Sequence, residues 1–155
     1  MTKPLWNVYL MGEIHTDWRR PIVEGIAEAN LPVRVLEPIT DHEQSNASGV
    51  RILGDEEKPF WRDRKAADLN SIRNRTLTRQ ADVVVAFFGG AYRQWNTAFD
   101  AGYAAALGKP LVILHDPEFN HALKEVDASA QAVAETPEQV VAVLKYVIAG
   151  NLEQE

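Results

Sequence analysis

The stretch RQWNTAFDAGYAAALGKPLVIL, residues 93–114, predicts a loop, a helix and a buried strand in that order. Its helical part ends at LGKP, where a glycine and a proline stop a helix, and LVIL is a compact apolar run. This pattern places Asp100 in the first turn of the predicted helix. An acid at that position either caps the helix or directs its charge into a cleft.

Further apolar runs lie on both sides of this stretch, with helical segments between them. We predict strands at 7–11, 33–36, 82–88 and 111–114 and a weak fifth strand within 127–133. We predict helices at 21–30, at 64–80, around Asp100 and at 137–148. Thr136 as N-cap and Gln139 as its capping-box partner mark the start of the last helix. Strands that alternate with helices indicate a parallel sheet covered on both faces, which binds ligands at the carboxyl ends of its strands.

The segment 37–61 has little hydrophobic periodicity and contains the polar runs TDHEQSNASG and GDEEKP. We therefore predict a loop there, longer than most connections in compact domains. Loops of this length are usually functional lids or disordered segments.

The composition is that of one globular domain. With 155 residues, 46% of them hydrophobic and 25% charged, the chain can build a single core, which we place at 1–150 with a short polar tail at 151–155. The net charge of -6 argues against nucleic acid or an anionic membrane as the main partner and favours a small molecule. There are no cysteines, and we find neither a signal peptide nor a membrane span, so we expect a cytoplasmic protein.

Several familiar sites are missing from the sequence. Neither a G-x-G-x-x-G segment after the first strand nor a G-x-x-x-x-G-K-[ST] segment is present, which argues against dinucleotide and P-loop enzymes. The four histidines show no ligand-type spacing, and HDPEFNH at 115–121 is predicted to be a turn and a helix cap. We therefore expect neither a metal nor an organic cofactor.

The residues that follow the first and third strands are expected to meet in one cleft. Gly12, Glu13 and His15 follow the first strand, and Asp100 lies beside the loop after the third strand. The other candidates for ligand contacts are Gly89, Tyr92, Trp95, Asn96 and Thr97 in that loop, and Trp61 from the long segment that would cover the cleft. Carboxylates combined with aromatic rings suit an uncharged ligand that contains a ring.

Four segments resemble the nucleoside 2-deoxyribosyltransferase-like family, and within it the small YtoQ-type branch. They are VYLMGEIH at 8–15, ADLNSI at 67–72, ADVVVAFF at 81–88 and WNTAFDAGYAAALGKPLVI at 95–113. The resemblance covers approximately residues 8–114. It implies a single-domain, flavodoxin-like α/β sandwich with a five-stranded parallel sheet in the order 2-1-3-4-5 and helices on both faces. It also implies a nucleoside-type substrate and a homo-oligomer whose subunits complete each other's clefts.

The resemblance also implies roles for three side chains. Asp100 matches the family's nucleophile, which attacks C1′ of the deoxyribose and is usually a glutamate, so its reach is shorter here by one methylene. Asp68 matches the aspartate that handles the base, and Tyr9 matches a tyrosine near the nucleophile. The family's further acid, six residues before the nucleophile, is replaced in this sequence by Gln94.

Cleavage of an N-glycosidic bond passes through an oxocarbenium-like state, which a nearby carboxylate stabilises and then traps before transfer to a base or to water. The leaving base needs a proton. Asp68 or Glu13 could donate it, whereas the helix dipole would keep Asp100 ionised. This division of roles requires one protonated and one ionised acid.

Structural interpretations stand beside these roles. Thr97 and Asp100 also fit a capping-box pattern, and Asp68 could pair with Arg64 or Arg75 on a solvated helix face. The remaining candidates also have structural alternatives: Tyr9 could be a core residue, Glu13 and His15 loop residues without a role, and Trp61 and Trp95 packing residues of a lid. The sequence thus leaves three kinds of function open: a glycosyl-transfer enzyme or hydrolase, a nucleoside-binding module with little catalysis, and a structural protein.

Overall fold

A computed structural model describes residues 4–152 and contains one five-stranded parallel sheet. Its strands are β1 (Trp6–Gly12), β2 (Val33–Leu36), β3 (Val83–Phe88), β4 (Leu111–His115) and β5 (Ala132–Ala134). Its helices are α1 (Arg19–Glu28), α2 (His42–Leu53), α3 (Pro59–Gln80), α4 (Trp95–Ala106), α5 (Lys124–Asp127) and α6 (Pro137–Ala149). The strand order is β2-β1-β3-β4-β5, which confirms the predicted fold class.

The alternation of side chains along the strands builds a core on each face of the sheet. On one face Val8, Leu10, Val83 and Val85 pack against α1 and α6, and on the other Tyr9, Met11, Val84 and Ala86 pack against α3 and α4. The central strands are therefore apolar on both sides, as is usual for a parallel sheet covered by helices.

The prediction of a loop over residues 37–61 was wrong, because α2 lies within it. Asp41 caps this helix by accepting a hydrogen bond from the Gln44 N–H at 2.9 Å. Gly49 lets the helix approach α3 closely, since a Cβ at this position would come within 2.4 Å of Lys65 Cβ and 2.5 Å of the Ala66 nitrogen. Asp and Gly are also common in turns and loops, so neither residue marked a helix in the sequence.

The closing helix begins as predicted. Thr136 Oγ1 accepts a hydrogen bond from the Gln139 N–H at 3.2 Å, and Pro137 occupies the first turn. The Gln139 side chain accepts from the Glu135 N–H at 2.7 Å, one residue before the position that a capping box uses. The HDPEFNH segment forms the predicted turn, in which Asp116 accepts from the Glu118 N–H at 3.0 Å.

A buried arginine fixes the loop that follows β1. Arg19 donates to the carbonyl oxygens of Leu10, Gly12 and Glu13 at 3.0, 3.3 and 2.8 Å, and only 6% of its surface is exposed. Gly12 has φ +121°, and a Cβ there would lie 2.4 Å from the Phe87 carbonyl oxygen. These contacts therefore fix the backbone conformation of the loop that follows β1.

Residues 4–152 include no helix that is both long enough and apolar enough to cross a membrane. The predicted domain limits, 1–150 with a tail at 151–155, remain a prediction, and residues 1–3 and 153–155 lie outside the described part of the chain.

We expect Arg19→Met to lower the free energy of unfolding by about 3 kcal/mol, because backbone carbonyls at the end of β1 lose their donors in a buried region. Urea denaturation measures this loss. Arg20→Met is the matched control, since Arg20 is exposed and pairs only with surface acids, and its effect should stay below about 0.5 kcal/mol. Equal effects of the two substitutions would contradict the role assigned to Arg19.

Candidate functional site

A cavity of about 690 Å³ opens at the carboxyl ends of β1 and β3. The loop after β1, the loop before α4, and the facing sides of α2 and α3 form its walls. This is the edge at which open parallel sheets bind ligands, and the volume lies within the range of about 300–1,000 Å³ that is common for small-molecule sites.

The structure brings most of the predicted site residues together in this cavity. Those that line it are Tyr9, Gly12, Glu13, His15, Tyr92, Asn96, Thr97 and Asp100. Four others do not line it: Gly89, Asp68, Trp61 and Trp95. Trp61 and Trp95 are exposed side chains outside the wall, and the cover that we expected from Trp61 is provided instead by α2 through His42, Ser45 and Asn46.

Asp100 is not in the first turn of its helix. Helix α4 begins at Trp95 with Gln94 in the N-cap position, so Asp100 lies in the second turn, and Thr97 donates its hydroxyl hydrogen bond to Gln94 at 3.2 Å. The predicted capping box of Thr97 and Asp100 was therefore wrong. Within residues 4–152 the Asp100 carboxylate has neither a hydrogen bond nor an ion pair within 4.0 Å. It faces the cavity without a protein partner.

The electrostatics of Asp100 also differ from the prediction. Burial raises the pKa of its carboxyl group to about 6, and the opposing charge of Arg75 limits the rise. The helix dipole was expected to keep this acid ionised, but the dipole effect falls off after the first turn. Desolvation therefore dominates, and the carboxylate is still mostly ionised at neutral pH.

Tyr9 is both a core residue and a cavity residue. Its side chain is fully buried, yet within residues 4–152 its hydroxyl has no hydrogen-bond partner. Burial, together with the nearby charge of Asp100, raises the pKa of the phenol well above its usual value. Tyr9 therefore presents a permanent donor beside Asp100, and a buried donor without a partner is costly unless a ligand or water satisfies it.

Glu13 is engaged by its own loop. Its side chain is buried and accepts hydrogen bonds from the His15 N–H and from the Thr16 hydroxyl, the latter at 2.5 Å. Its carbonyl oxygen accepts from Trp18 Nε1 and Arg19. Both carboxylate oxygens of Glu13 are thus engaged by its own loop and are not free for a ligand.

Asp68 lies on an exposed face of α3. Its carboxylate is 3.4 Å from Arg64 Nε, which is the structural alternative that the sequence offered. The cavity face of α3 is displaced from Asp68 around the helix and contains Ala67, Asn70, Ser71, Asn74 and Arg75. The geometry does not support the predicted contact of Asp68 with a base.

Sequence reasoning missed Arg75, which it placed on a solvated face. The Arg75 guanidinium lies over the rings of Phe99 and Tyr103 at 6.0 and 5.7 Å, and these two residues flank Asp100 on one side of α4. The spacing of Ala67, Ser71 and Arg75, four residues apart, is the helical signal that could have indicated this cavity face.

A set of three aromatic rings, which we call the rim, stands at the cavity wall. The rim consists of His15, His42 and Tyr92, with ring centroids 5.1 Å apart for His15 and His42 and 4.4 Å apart for His15 and Tyr92. The residues come from the loop after β1, the start of α2 and the loop before α4. His42 was not predicted, because its helix was read as a loop.

No three histidine, cysteine, aspartate or glutamate side chains in residues 4–152 are grouped in a way that could hold a metal ion. The expectation that the protein uses no metal and no cofactor remains a prediction.

Comparison with known proteins shows the family of the chain. A family model described as Nucleoside 2-deoxyribosyltransferase YtoQ matches residues 9–148. The uncharacterized protein YtoQ of Bacillus subtilis (strain 168) is 41% identical over 140 residues, which make up 90% of this chain and 95% of that protein.

Solved structures with low sequence identity share the fold. A 2-deoxyribosyltransferase from Bacillus psychrosaccharolyticus has a TM-score of 0.55 at 18% identity over 89% of this chain and 95% of that one. A conserved protein from Enterococcus faecalis has a TM-score of 0.58 at 17% identity over 93% and 99% of the two chains. A CMP N-glycosidase from Clostridium botulinum has a TM-score of 0.51 at 14% identity over 91% and 98%.

We expect Asp100→Asn to stabilise the protein at alkaline pH. Folding raises the pKa of this carboxyl from 3.8 to about 6, so its stability contribution is present below pH 4 and is lost as the pH rises through 6. The asparagine amide has no charge to desolvate, so its contribution to stability does not change with pH. The variant should exceed the wild type by about 3 kcal/mol in the free energy of unfolding at pH 8 and come close to it near pH 4.

Urea denaturation at the two pH values measures this difference. Asp63→Asn is the control, because Asp63 lines the same cavity but is exposed to solvent. A stability gain for Asp100→Asn that is the same at pH 4 and pH 8 would contradict a desolvated carboxylate.

Proposed function

The chain belongs to the nucleoside 2-deoxyribosyltransferase YtoQ family, and on that basis we propose that it cleaves the N-glycosidic bond of a nucleoside or deoxynucleoside with Asp100 as the nucleophile. The reaction is completed by transfer of the sugar to a second base or to water. Among the acids of residues 4–152, Asp100 is the one that combines a place in the cavity wall, partial burial and freedom from protein partners.

The unengaged carboxylate is the observation that carries this proposal. A nucleophile must offer a lone pair to C1′, and hydrogen bonds or an ion pair to protein groups would lower its reactivity. With a pKa of about 6, the Asp100 carboxylate is mostly ionised at neutral pH and is more basic than an ordinary aspartate, which suits a nucleophile. A purely structural acid would have a partner within the fold.

The chemistry proceeds in two displacements. An Asp100 carboxylate oxygen bonds to C1′ as the C1′–base bond breaks, and the electron pair of that bond leaves with the base, which takes up a proton. A second base, or a water molecule that gives up a proton, then attacks C1′ and releases Asp100. Two inversions at C1′ give net retention.

Tyr9 and Arg75 support the nucleophile in this proposal. The Tyr9 hydroxyl is a buried donor without a protein partner, available for a hydroxyl group of the sugar. Arg75 is held over the rings of Phe99 and Tyr103, and its positive charge favours the ionised carboxylate of Asp100. Asn74 on α3 gives the cavity an amide group that suits the polar edge of a base.

The related structures support this class of reaction. One is named a 2-deoxyribosyltransferase and another a CMP N-glycosidase, and both names describe chemistry at the bond between a sugar and a base. The same fold thus accompanies transfer and hydrolysis, which is why we propose both a base and water as acceptors.

We also propose that the protein is a homo-oligomer. Large apolar side chains are exposed on α3 and α4, close to the cavity: Phe60, Trp61, Ile72, Trp95 and Phe99. Apolar surface of this kind is often covered by a partner subunit.

A nucleoside-binding module with little catalysis is the second candidate. It is favoured by the departures near the site: aspartate in place of the usual glutamate, Gln94 in place of a second acid, and Glu13 engaged in its own loop. This candidate predicts ligand binding without turnover.

An exchange assay separates the two candidates. Wild-type protein with deoxyinosine and free adenine should form deoxyadenosine, or free hypoxanthine if water is the acceptor, as measured by chromatography. Asp100→Asn should lower the rate by about 10³-fold or more, because no covalent intermediate can form. Asp63→Asn, the matched control, should keep most of the activity. Binding of nucleosides by a wild-type protein that forms neither product would favour the binding module.

We expect Arg75→Met to move the acidic limb of the activity profile to higher pH. Without the guanidinium the pKa of Asp100 rises further above 6, so a larger share of the enzyme is protonated and inactive at neutral pH. The measurement is kcat/KM from pH 5 to pH 9. Arg75→Lys should restore part of the shift, and Arg79→Met, which removes a neighbouring cation bonded to the Tyr103 hydroxyl, should move the limb less.

A further inference from the structure

The leaving base must take up a proton, and the carboxylates of the cavity are poorly placed to supply it. We propose that His15, in its protonated form, donates this proton. The proposal rests on the proposed glycosidic chemistry and assigns a residue to a step for which the predicted acids are unsuited.

The carboxylates that line the cavity within residues 4–152 are those of Glu13, Asp63 and Asp100. Asp100 is the proposed nucleophile, and Glu13 accepts hydrogen bonds with both oxygens. Asp63 precedes Arg75 by twelve residues on α3, about 18 Å along the helix at 1.5 Å per residue. Arg75 acts on the nucleophile, so Asp63 lies at the opposite end of the cavity.

An aromatic ring and a carboxylate lie close to His15. Its ring lies 4.4 Å from the ring of Tyr92, whose electron-rich face stabilises a cation. Its own main-chain N–H donates to the buried carboxylate of Glu13, which places a negative charge next to the residue. No hydrogen bond within residues 4–152 involves either nitrogen of the His15 ring, so both remain available for a ligand.

The two imidazoles of the rim differ in what they contact. Asn46 Nδ2 lies 3.1 Å from His42 Nε2, so one nitrogen of His42 is engaged within its own helix. The rings of His15 and His42 have their centroids 5.1 Å apart. Of these two imidazoles, His15 is the one whose ring nitrogens are both free for a ligand within residues 4–152.

In the first displacement His15 supplies the proton that the leaving base needs. As Asp100 bonds to C1′, the C1′–base bond breaks and its electron pair passes to the base, which accepts the proton of the His15 imidazolium. His15 is then neutral. In the second displacement it takes the proton of the attacking base or water, which returns the imidazolium for the next cycle.

A substrate whose base leaves without a proton provides the test. A 7-methylpurine nucleoside carries its positive charge already, so its base departs neutral and needs no acid. The rates are measured for 2′-deoxyguanosine or guanosine, whichever the wild type cleaves, and for the corresponding 7-methyl derivative. We expect His15→Gln to lower kcat/KM for the ordinary nucleoside by about 10²-fold and to change it by less than about threefold for the methylated one.

His42→Gln is the matched control, since it removes the other imidazole of the rim, and it should affect both substrates to the same small extent.

Each alternative result has a separate meaning. Equal losses on both substrates in His15→Gln would show that the ring only stacks on the ligand, and no loss on either would remove His15 from the reaction; both overturn the inference but leave the proposed function intact. Loss of both activities in Asp100→Asn supports the proposed function independently. A wild type that cleaves neither substrate overturns both proposals.

Discussion

The site depends on a buried guanidinium that satisfies three backbone carbonyls. Arg19 donates hydrogen bonds to the carbonyl oxygens of Leu10, Gly12 and Glu13, in the last part of β1 and the loop that follows it. Burial of this charge is costly, but the hydrogen bonds and the ring of Trp18 at 4.5 Å offset the cost. Because the loop is fixed in this way, the positions of His15 and of the cavity wall follow from the position of β1.

The nucleophile candidate shows the opposite arrangement. The guanidinium of Arg19 donates to three carbonyl oxygens. Asp100 and Tyr9, by contrast, lie in a desolvated part of the cavity, and within the described chain their side-chain oxygens have no hydrogen-bond partner. Such groups persist because the sheet and α4 hold them by packing, through Ala101 and Ala104 on the buried side of the helix. Packing of the sheet and α4 thus fixes the positions of these two side chains, which have no hydrogen bonds to fix them.

The sequence predicted the elements that long apolar runs determine, and it missed the helix and the contacts that depend on single residues. The strands at 82–88 and 111–114 were clear because buried parallel strands are continuously apolar. Helix α2 was missed because it depends on the Asp41 cap and on Gly49, and the start of α4 was misplaced because Thr97 and Asp100 imitate a capping box. No local pattern marks Arg19, whose carbonyl partners lie six to nine residues before it.

The contact at Gly49 sets the width of the cavity. Helices α2 and α3 can lie so close only because Gly49 has no side chain, and Asn70 then joins them by donating to the Ser45 carbonyl and hydroxyl at 3.2 and 3.0 Å. A methyl group at residue 49 would overlap Lys65 and Ala66 and force the two helices apart. Laboratory evolution toward bulkier ligands could therefore begin at this position, because a larger residue would separate the two helices that form one side of the cavity.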